Sequence, residues 1–297
     1  MFNILQNPVR RAEALWGYLL ISPLVIGLAI FFYLALGKSF FISLTDWDLL
    51  SEPVNVGFDN YRQLFANEEF GQALRNTAQF SLLNVPLGLL VSLLLALALN
   101  AKIRFRNIYR LIFFLPVMTM PIAISIVWQW LYNPDFGPIN QLLRVFGVEK
   151  IKWLSDPNTA MLSLVIMSVW MGAGYGMIII LAGLQNIPRE FYEAAQVDGA
   201  TGLTSFRYVT LPLLTPTLFF VMVTSIISSL QVFDIVYGLS QGRAGPYTRT
   251  IVYSIYEDGF RNFQMGNATA TAWVLFVIIL IITMIQFRVQ RWWVHYE

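Results

Sequence analysis

The chain has 297 residues, of which 57% are hydrophobic and 12% are charged, and its formal net charge at pH 7 is +2. A soluble domain carries about twice this share of charged residues, so the composition indicates a membrane protein and gives no reason to expect a nucleic-acid partner. The absence of cysteine and the single histidine, His295, exclude disulfides, thiol nucleophiles and zinc sites built from Cys or clustered His.

Six apolar segments are long enough to cross a bilayer, which takes about 20 residues of helix. Backbone polar groups must be satisfied internally in lipid, so each segment is predicted to be helical. The predicted fold is an all-α polytopic membrane protein, with a tail over 1–14, a six-helix transmembrane domain over 15–287 and a second tail over 288–297. The predicted spans are 15–36, 77–99, 111–132, 159–184, 211–237 and 268–287.

The amino-terminal segment has Arg10 and Arg11 ahead of an apolar run, as a secretory signal does. That run is longer than the usual apolar core of about 7–15 residues and lacks a small-residue cleavage site. We therefore expect a retained first helix.

Orientation follows from the link between the second and third spans, which carries Lys102, Arg104, Arg106 and Arg110 and no acidic residue. Basic residues in short loops mark the cytoplasmic side. Alternation across the bilayer then predicts that both termini and the loop over 185–210 are cytoplasmic.

The loop over 185–210 is predicted to form a bent pair of short helices. Asn186 can cap the first helix, Gly199 and Gly202 break it, and Thr204 can cap a second helix that ends near Pro212. Apolar side chains displayed on such a loop usually mark a docking surface. Those available for one face are Phe191, Ala194, Ala195, Val197, Phe206 and Val209.

Eight positions of this region follow a specific spacing: Glu193, Ala194, Ala195, Asp198, Gly199, Ala200, Phe206 and Pro212. The spacing resembles the EAA loop of the membrane subunits of ATP-binding-cassette importers. The resemblance implies that the helix pair is a coupling element seated in a cleft on a separate ATPase subunit. It also implies that the partner binds ATP and Mg²⁺ and that this chain needs no cofactor. An amphipathic interfacial helix with a glycine stop is the alternative interpretation.

The resemblance extends over nearly the whole chain. The stretches 106–116 and 128–134 look like the carbohydrate branch of these permeases, and in particular like the first of two unlike permeases in a maltose-type importer. This implies transport of a sugar or sugar-like solute by alternating access across a bacterial or archaeal cytoplasmic membrane. The implied partners are an unlike permease, two ATPase subunits and an external solute-binding protein, besides the solute and the lipid bilayer.

Polar and small residues in the fourth and fifth spans are candidates for the solute path. In maltose-type relatives the solute contacts these two spans, so the resemblance assigns the matching positions to the path. They are Ser168, Gly172, Tyr175, Ser225, Ser228, Ser229 and Val232. Small residues in membrane helices also serve close helix packing, which is the alternative for each serine and glycine.

The sequence shows no catalytic constellation. It has no Gly-rich loop followed by Lys and Ser or Thr that could hold nucleotide phosphates, so ATP hydrolysis is expected in another polypeptide. Asp234 is the ionisable residue within the fifth span. It allows a rival function, an ion-coupled secondary transporter or channel, although a structural carboxylate near the interface is also compatible with its position. A membrane enzyme lacks any evident acid–base or nucleophile pair.

Overall fold

The computed structural model describes residues 8–101, 103–241 and 245–295. Within them, five helices are long and apolar enough to cross a membrane, and a bent helix pair over 106–131 provides a sixth span if it crosses as one unit. The predicted all-α polytopic fold is confirmed. Residues 1–7 of the predicted amino-terminal tail, Lys102 and residues 296–297 lie outside the described residues.

One compact unit comprises the chain up to Leu64 together with Asp258–Trp273. The buried Asn60 is central to it, because its amide donates to the carbonyl oxygens of Ser43 at 2.9 Å and Thr45 at 2.8 Å. Helical structure at the start of the chain is longer than the predicted span 15–36, because it also includes polar residues on both sides of that span. The elements are α1 (Pro8–Leu28), a π-helical turn (Ala29–Tyr33), α2 (Leu34–Ser43), the antiparallel strands β1 (Thr45–Asp46) and β2 (Val54–Asn55), and α3 (Asp59–Ala66), which continues beyond the unit.

The second compact unit comprises Phe65–Glu257 and the chain from Val274 onward. Its elements are α4 (Glu68–Asn100), α5 (Arg106–Phe114), a 3₁₀ turn (Leu115–Met118), α6 (Pro121–Leu131), α7 (Pro138–Val145), α8 (Ala160–Asn186), α9 (Arg189–Val197), α10 (Gly202–Ser205), a π-helical turn (Phe206–Thr210), α11 (Leu211–Leu230), α12 (Asp234–Leu239) and α13 (Ile251–Tyr256). A π-helical turn (Glu257–Arg261), α14 (Met265–Val289), which begins in the first unit, and a 3₁₀ turn (Gln290–Trp292) complete the chain.

The third predicted span, 111–132, is not one straight helix. The helical segment that ends at Met118 meets α6 at an angle of 101°. Thr119 and Met120 are extended between the two segments, and Pro121 opens α6. A proline cannot donate a backbone hydrogen bond and is favoured at the start of a helix, which explains the break at this position.

The fifth predicted span, 211–237, begins at the first residue of α11 but includes a break in the helix. Helix α11 stops at Leu230 and α12 begins only at Asp234. The break is stabilised by a residue far along the chain, because the Thr250 hydroxyl donates to the carbonyl oxygen of Val232 at 3.1 Å. At the other end, helical structure is continuous from Gly202 to Leu230, so the second helix of the predicted pair does not end near Pro212.

Helices α4 and α8 pack closely because α8 has glycines where it meets its neighbours. A Cβ on Gly176 would lie 2.5 Å from the Ser92 hydroxyl oxygen on α4, and a Cβ on Gly174 would lie 2.1 Å from the carbonyl oxygen of Phe113. The Ser92 hydroxyl donates to the carbonyl oxygen of Ala173 at 3.1 Å, which ties the two helices together. This packing sets one wall of the cavity described next.

Candidate functional site

A cavity of about 300 Å³ lies between α4, α8 and α11. All seven positions that the sequence assigned to the solute path line it: Ser168, Gly172, Tyr175, Ser225, Ser228, Ser229 and Val232. The structure therefore brings residues from two separate spans to one place. Their contact with a solute stays a prediction.

Helical periodicity explains why these residues share one wall. On α8, Ser168, Gly172 and Tyr175 are separated by four and three residues and so fall on one face. Gly172 differs from the packing glycines of the same helix, because a Cβ there would meet no atom within 4 Å. Its Cβ position is therefore open, unlike that of Gly176, which also lines the cavity but contacts Ser92.

The hydroxyl groups of the cavity differ in whether they are already bonded. Ser229 is buried and donates to the carbonyl oxygen of Ile226 at 2.9 Å, so its hydroxyl is used within its own helix. The hydroxyls of Ser168, Tyr175, Ser225 and Ser228 make no hydrogen bond within the described part of the chain. Those four can bind polar groups that enter the cavity.

Helix α4 supplies a wall that the sequence did not predict. Its lining residues recur every four positions, which places them on one face. They are Phe80, Asn84, Gly88 and Ser92. The available signal was an amide, Asn84, within an apolar span, but sequence alone does not tell whether such a residue faces a cavity or a neighbouring helix. Among the described residues, no Asp, Glu, Lys, Arg or His lines the cavity.

Asp234 lies outside the cavity lining, although Ile235, the next residue, is part of it. Its side chain is exposed at the first position of α12. No hydrogen bond or ion pair of this carboxylate occurs within the described residues. The structure therefore does not show it capping or bonding nearby backbone.

The loop between α8 and α11 contains a well-defined helix end. Gly199 adopts a positive φ of 77°. This conformation is strained for residues with a side chain, whereas glycine adopts it at little cost. Its N–H donates to the carbonyl oxygen of Gln196 at 3.0 Å, and the N–H of Ala200 donates to that of Ala195 at 2.8 Å. These two bonds form a Schellman motif, which ends α9 and turns the chain.

The second helix of this loop begins earlier than predicted. Gly202 does not break helical structure but is the first residue of α10, and Thr201 rather than Thr204 occupies the capping position. The Tyr192 hydroxyl lies 3.1 Å from the Thr210 hydroxyl, which holds α9 against the base of α11.

The surface of the loop is apolar and largely open. Val197 is 88% exposed and Leu203 is 79% exposed, and Phe191 is exposed as well. Glu193, Ala194, Asp198 and Gly199 are exposed, whereas Ala195, Ala200, Phe206, Val209 and Pro212 are half-buried. The predicted apolar face is thus only partly open, and Leu203 extends it beyond the predicted set.

Two arginines of the short basic link contact the carboxyl end of α8. With the amide of Gln185 oriented so that its oxygen faces them, it accepts from Arg106 and from Arg110, the latter at 2.9 Å. The basic link and the helix that enters the loop are therefore joined by charge-assisted hydrogen bonds.

The segment between α12 and α13 is fixed to α4 by polar contacts. The Asn76 amide donates to the carbonyl oxygens of Pro246 at 2.7 Å and Arg249 at 2.8 Å. Arg249 also pairs with the carboxylates of Glu69 and Glu257. The described residues contain no group of three or more His, Cys, Asp or Glu placed to hold a metal ion.

Comparison with known proteins gives a consistent result. A family profile described as binding-protein-dependent transport system inner membrane component matches residues 85–294. A Bacillus subtilis protein described as the probable ABC transporter permease YesP is 41% identical over 97% of this chain and 94% of its own length. The trehalose/maltose transport system permease MalF of Thermococcus litoralis is 34% identical over 98% of this chain and 99% of its own length.

A solved structure extends the similarity to three dimensions. It is a chain of a bacterial alginate ABC transporter, crystallised in complex with a periplasmic protein bound to an alginate pentasaccharide. That chain aligns with a TM-score of 0.83 and 27% sequence identity, covering 97% of each chain. The similarity therefore includes both compact units and the segments that build the cavity.

Proposed function

This chain belongs to the family of binding-protein-dependent transport system inner membrane components, and we propose that it is the permease subunit of an ATP-driven importer of a sugar or sugar-like solute. It is a multi-pass inner membrane protein. Its catalytic partner would be a separate ATPase that binds ATP and Mg²⁺, while this chain contributes no catalytic group. The observation that carries the proposal is one helical segment, 202–230, that joins the exposed coupling loop to the cavity-lining serines.

The lining of the cavity favours a solute that is polar and uncharged. Four hydroxyls of the cavity have no hydrogen-bond partner within the described residues. The described lining of the cavity carries no Asp, Glu, Lys, Arg or His. A sugar presents hydroxyl groups that both donate and accept, so it can satisfy such a surface without a counter-charge. The name of the Thermococcus relative, which refers to the disaccharides trehalose and maltose, agrees with a neutral sugar. Alginate is an acidic polysaccharide, so that relative supports only the broader class of sugar-like solutes.

The coupling surface supports the partner assignment. Phe191 and Val197 expose apolar side chains on α9, the helix that carries Glu193, and Leu203 exposes one on α10. An exposed apolar patch with polar residues around it is typical of a surface that docks another protein. The proposed occupant is an ATPase subunit, present twice in an assembly with one unlike permease. An external solute-binding protein would deliver the solute, as the alginate complex suggests.

In alternating access, the coupling loop would move first and the helix that begins at Gly202 would follow. Closure of the ATPase pair would displace the coupling loop, and the continuous helix from Gly202 would transmit this displacement to the cavity wall. This arrangement requires the loop 185–210 and both termini to lie in the cytoplasm. The basic link at Arg106 and Arg110, bonded to the end of α8, supports that orientation.

The rival secondary transporter is not favoured. It needs an ionisable group that exchanges ions along the solute path, and Asp234 does not line the cavity. The chain also carries the coupling loop, which a self-sufficient secondary transporter does not need.

The decisive experiment reconstitutes the chain with its cognate permease and ATPase in liposomes that enclose ATP. Labelled maltose, trehalose and alginate oligosaccharide are supplied outside with the cognate solute-binding protein. The proposal expects uptake of at least one of them only when ATP, the ATPase and the binding protein are all present. Uptake by this chain alone, driven by a membrane potential, would instead establish the rival.

A further inference from the structure

On the cavity wall formed by α4, one polar side chain has an atom without a hydrogen-bond partner among the described residues. Asn84 lines the cavity, and its Oδ1 atom is buried without a hydrogen-bond partner in the described structure. Amides in folded proteins are rarely left in this state, because a buried acceptor without a donor loses the hydrogen bonds it had in water.

The other three lining residues of α4 are already accounted for. Phe80 is fully buried in the hydrophobic core beside Trp128. Gly88 has open space where a side chain would be, and the Ser92 hydroxyl donates to Ala173. Asn84 is therefore the position on this face from which α4 can offer a free hydrogen-bonding group to the cavity.

The groups across the cavity show what would satisfy this amide. The walls formed by α8 and α11 present the hydroxyls of Ser168, Tyr175 and Ser228, which have no partner within the described residues. An amide oxygen accepts from a hydroxyl, and the amide N–H₂ donates to one, so a polyhydroxylated solute matches Asn84 as well as the opposite walls. A ligand without hydroxyl or amine donors would leave Oδ1 unsatisfied.

We infer that Asn84 is a solute-binding residue, which hydrogen bonds from α4 to a hydroxyl of the transported sugar. This inference rests on the proposed importer function and adds a third helix to the solute path. Specificity would then depend on α4 as well as on the two spans that the sequence singled out.

The first test uses the absence of cysteine from the chain. The variants Asn84→Cys, Ser228→Cys and Leu82→Cys each place one thiol on this subunit, and Leu82, on the same helix as Asn84, is 75% exposed away from the cavity lining. The assembled importer in liposomes is treated with a membrane-impermeant cationic methanethiosulfonate, with and without ATP, and the mass of this chain is followed.

Asn84→Cys and Ser228→Cys are expected to react at least about tenfold faster than Leu82→Cys in one of the two conditions. Fast reaction of Ser228→Cys with slow reaction of Asn84→Cys would overturn the inference and leave the importer function intact. Slow reaction of both would show that the cavity is not the aqueous path, and would remove the inference together with the proposed path.

The second test separates hydrogen bonding from packing. Leucine has the branched shape of asparagine and is somewhat larger, without a polar group, whereas serine is smaller but retains a hydroxyl. Loss of one hydrogen bond to a solute corresponds to about a fivefold to tenfold change in affinity. For labelled maltose or trehalose, Asn84→Leu should therefore raise the KM of uptake by at least about fivefold, with Asn84→Ser closer to wild type.

The opposite ranking, with Asn84→Leu active and Asn84→Ser impaired, would show that Asn84 only packs. If the wild-type importer transports neither sugar, the failure concerns the proposed solutes, and the thiol-labelling result alone decides the role of Asn84.

Discussion

The backbone N–H of Ala200 donates to the carbonyl oxygen of Ala195, 2.8 Å away, and this bond closes the carboxyl end of α9. The closure depends on Gly199, whose φ of 77° lies in the left-handed region. The exposed coupling surface is therefore held by backbone geometry rather than by a buried core, and this geometry can be tested at single positions.

Replacing Gly199 with valine should disturb the coupling loop, because a β-branched residue at a left-handed φ is strained by about 1–2 kcal/mol or more. We expect the transport-linked ATPase activity of the assembled importer to fall at least about fivefold. Gly202→Ala is the matched control, because the φ of Gly202 is not positive and a Cβ added there would meet no atom within 4 Å. Equal loss in both variants would contradict the role assigned to the Gly199 turn.

Reversing the charge of Glu193 should weaken ATPase docking without unfolding the chain. Its side chain is exposed and makes no ion pair within the described residues, so the substitution removes no internal contact. Co-purification of the ATPase with Glu193→Lys should decrease strongly, while Glu149→Lys, a change of equal charge at another exposed site, should retain it. Wild-type retention and stimulated hydrolysis in Glu193→Lys would refute the coupling role.

The two glycines Gly176 and Gly172 should respond differently to a larger side chain. Gly176→Ala places a methyl group 2.5 Å from the Ser92 hydroxyl oxygen, and overpacking of this kind costs about 1–3 kcal/mol. Its melting temperature should fall, and Ser92→Gly should partly restore it. Gly172→Val meets no atom at Cβ, so it should keep its melting temperature and lose uptake. Identical melting temperatures for Gly176→Ala and wild type would disprove the packing account.

Tyr175 and Ser229 line the same cavity but use their hydroxyls differently. Tyr175→Phe removes a hydroxyl without a partner in the described structure, so uptake should fall about fivefold if that group binds the solute. Ser229→Ala removes a hydroxyl already bonded to Ile226, and uptake should change little. Leucine at either position should impair transport, because it fills space at Ser229 and removes the hydroxyl and the ring at Tyr175. Assembly with the ATPase, measured by co-purification, should persist throughout, and normal uptake by Tyr175→Phe and Tyr175→Leu would remove Tyr175 from the path.

Much of this architecture could be predicted from residue type and spacing. Apolar length located the membrane helices, and the positions of Glu193 and Gly199 located the loop that the structure shows exposed. The family resemblance selected Ser168, Gly172 and Tyr175, which the structure places in one cavity lining.

The break before α6 has a local cause in Pro121, whereas the break after α11 could not be predicted from nearby residues. There Thr250 bonds to Val232, a contact between residues 18 positions apart. The α4 wall was missed for a related reason. An asparagine within an apolar helix can face a neighbouring helix or an open space, and only the position of α8 decides between them for Asn84.

The uninterrupted helix from Gly202 to Leu230 has a mechanical consequence. At about 1.5 Å per residue it is a rod roughly 40 Å long, with Leu203 near one tip and Ser228 near the other. We expect a displacement of Leu203 to be transmitted along this helix to Ser228 and to change the width of the cavity there. Two glycines introduced midway should leave docking intact and weaken this transmission.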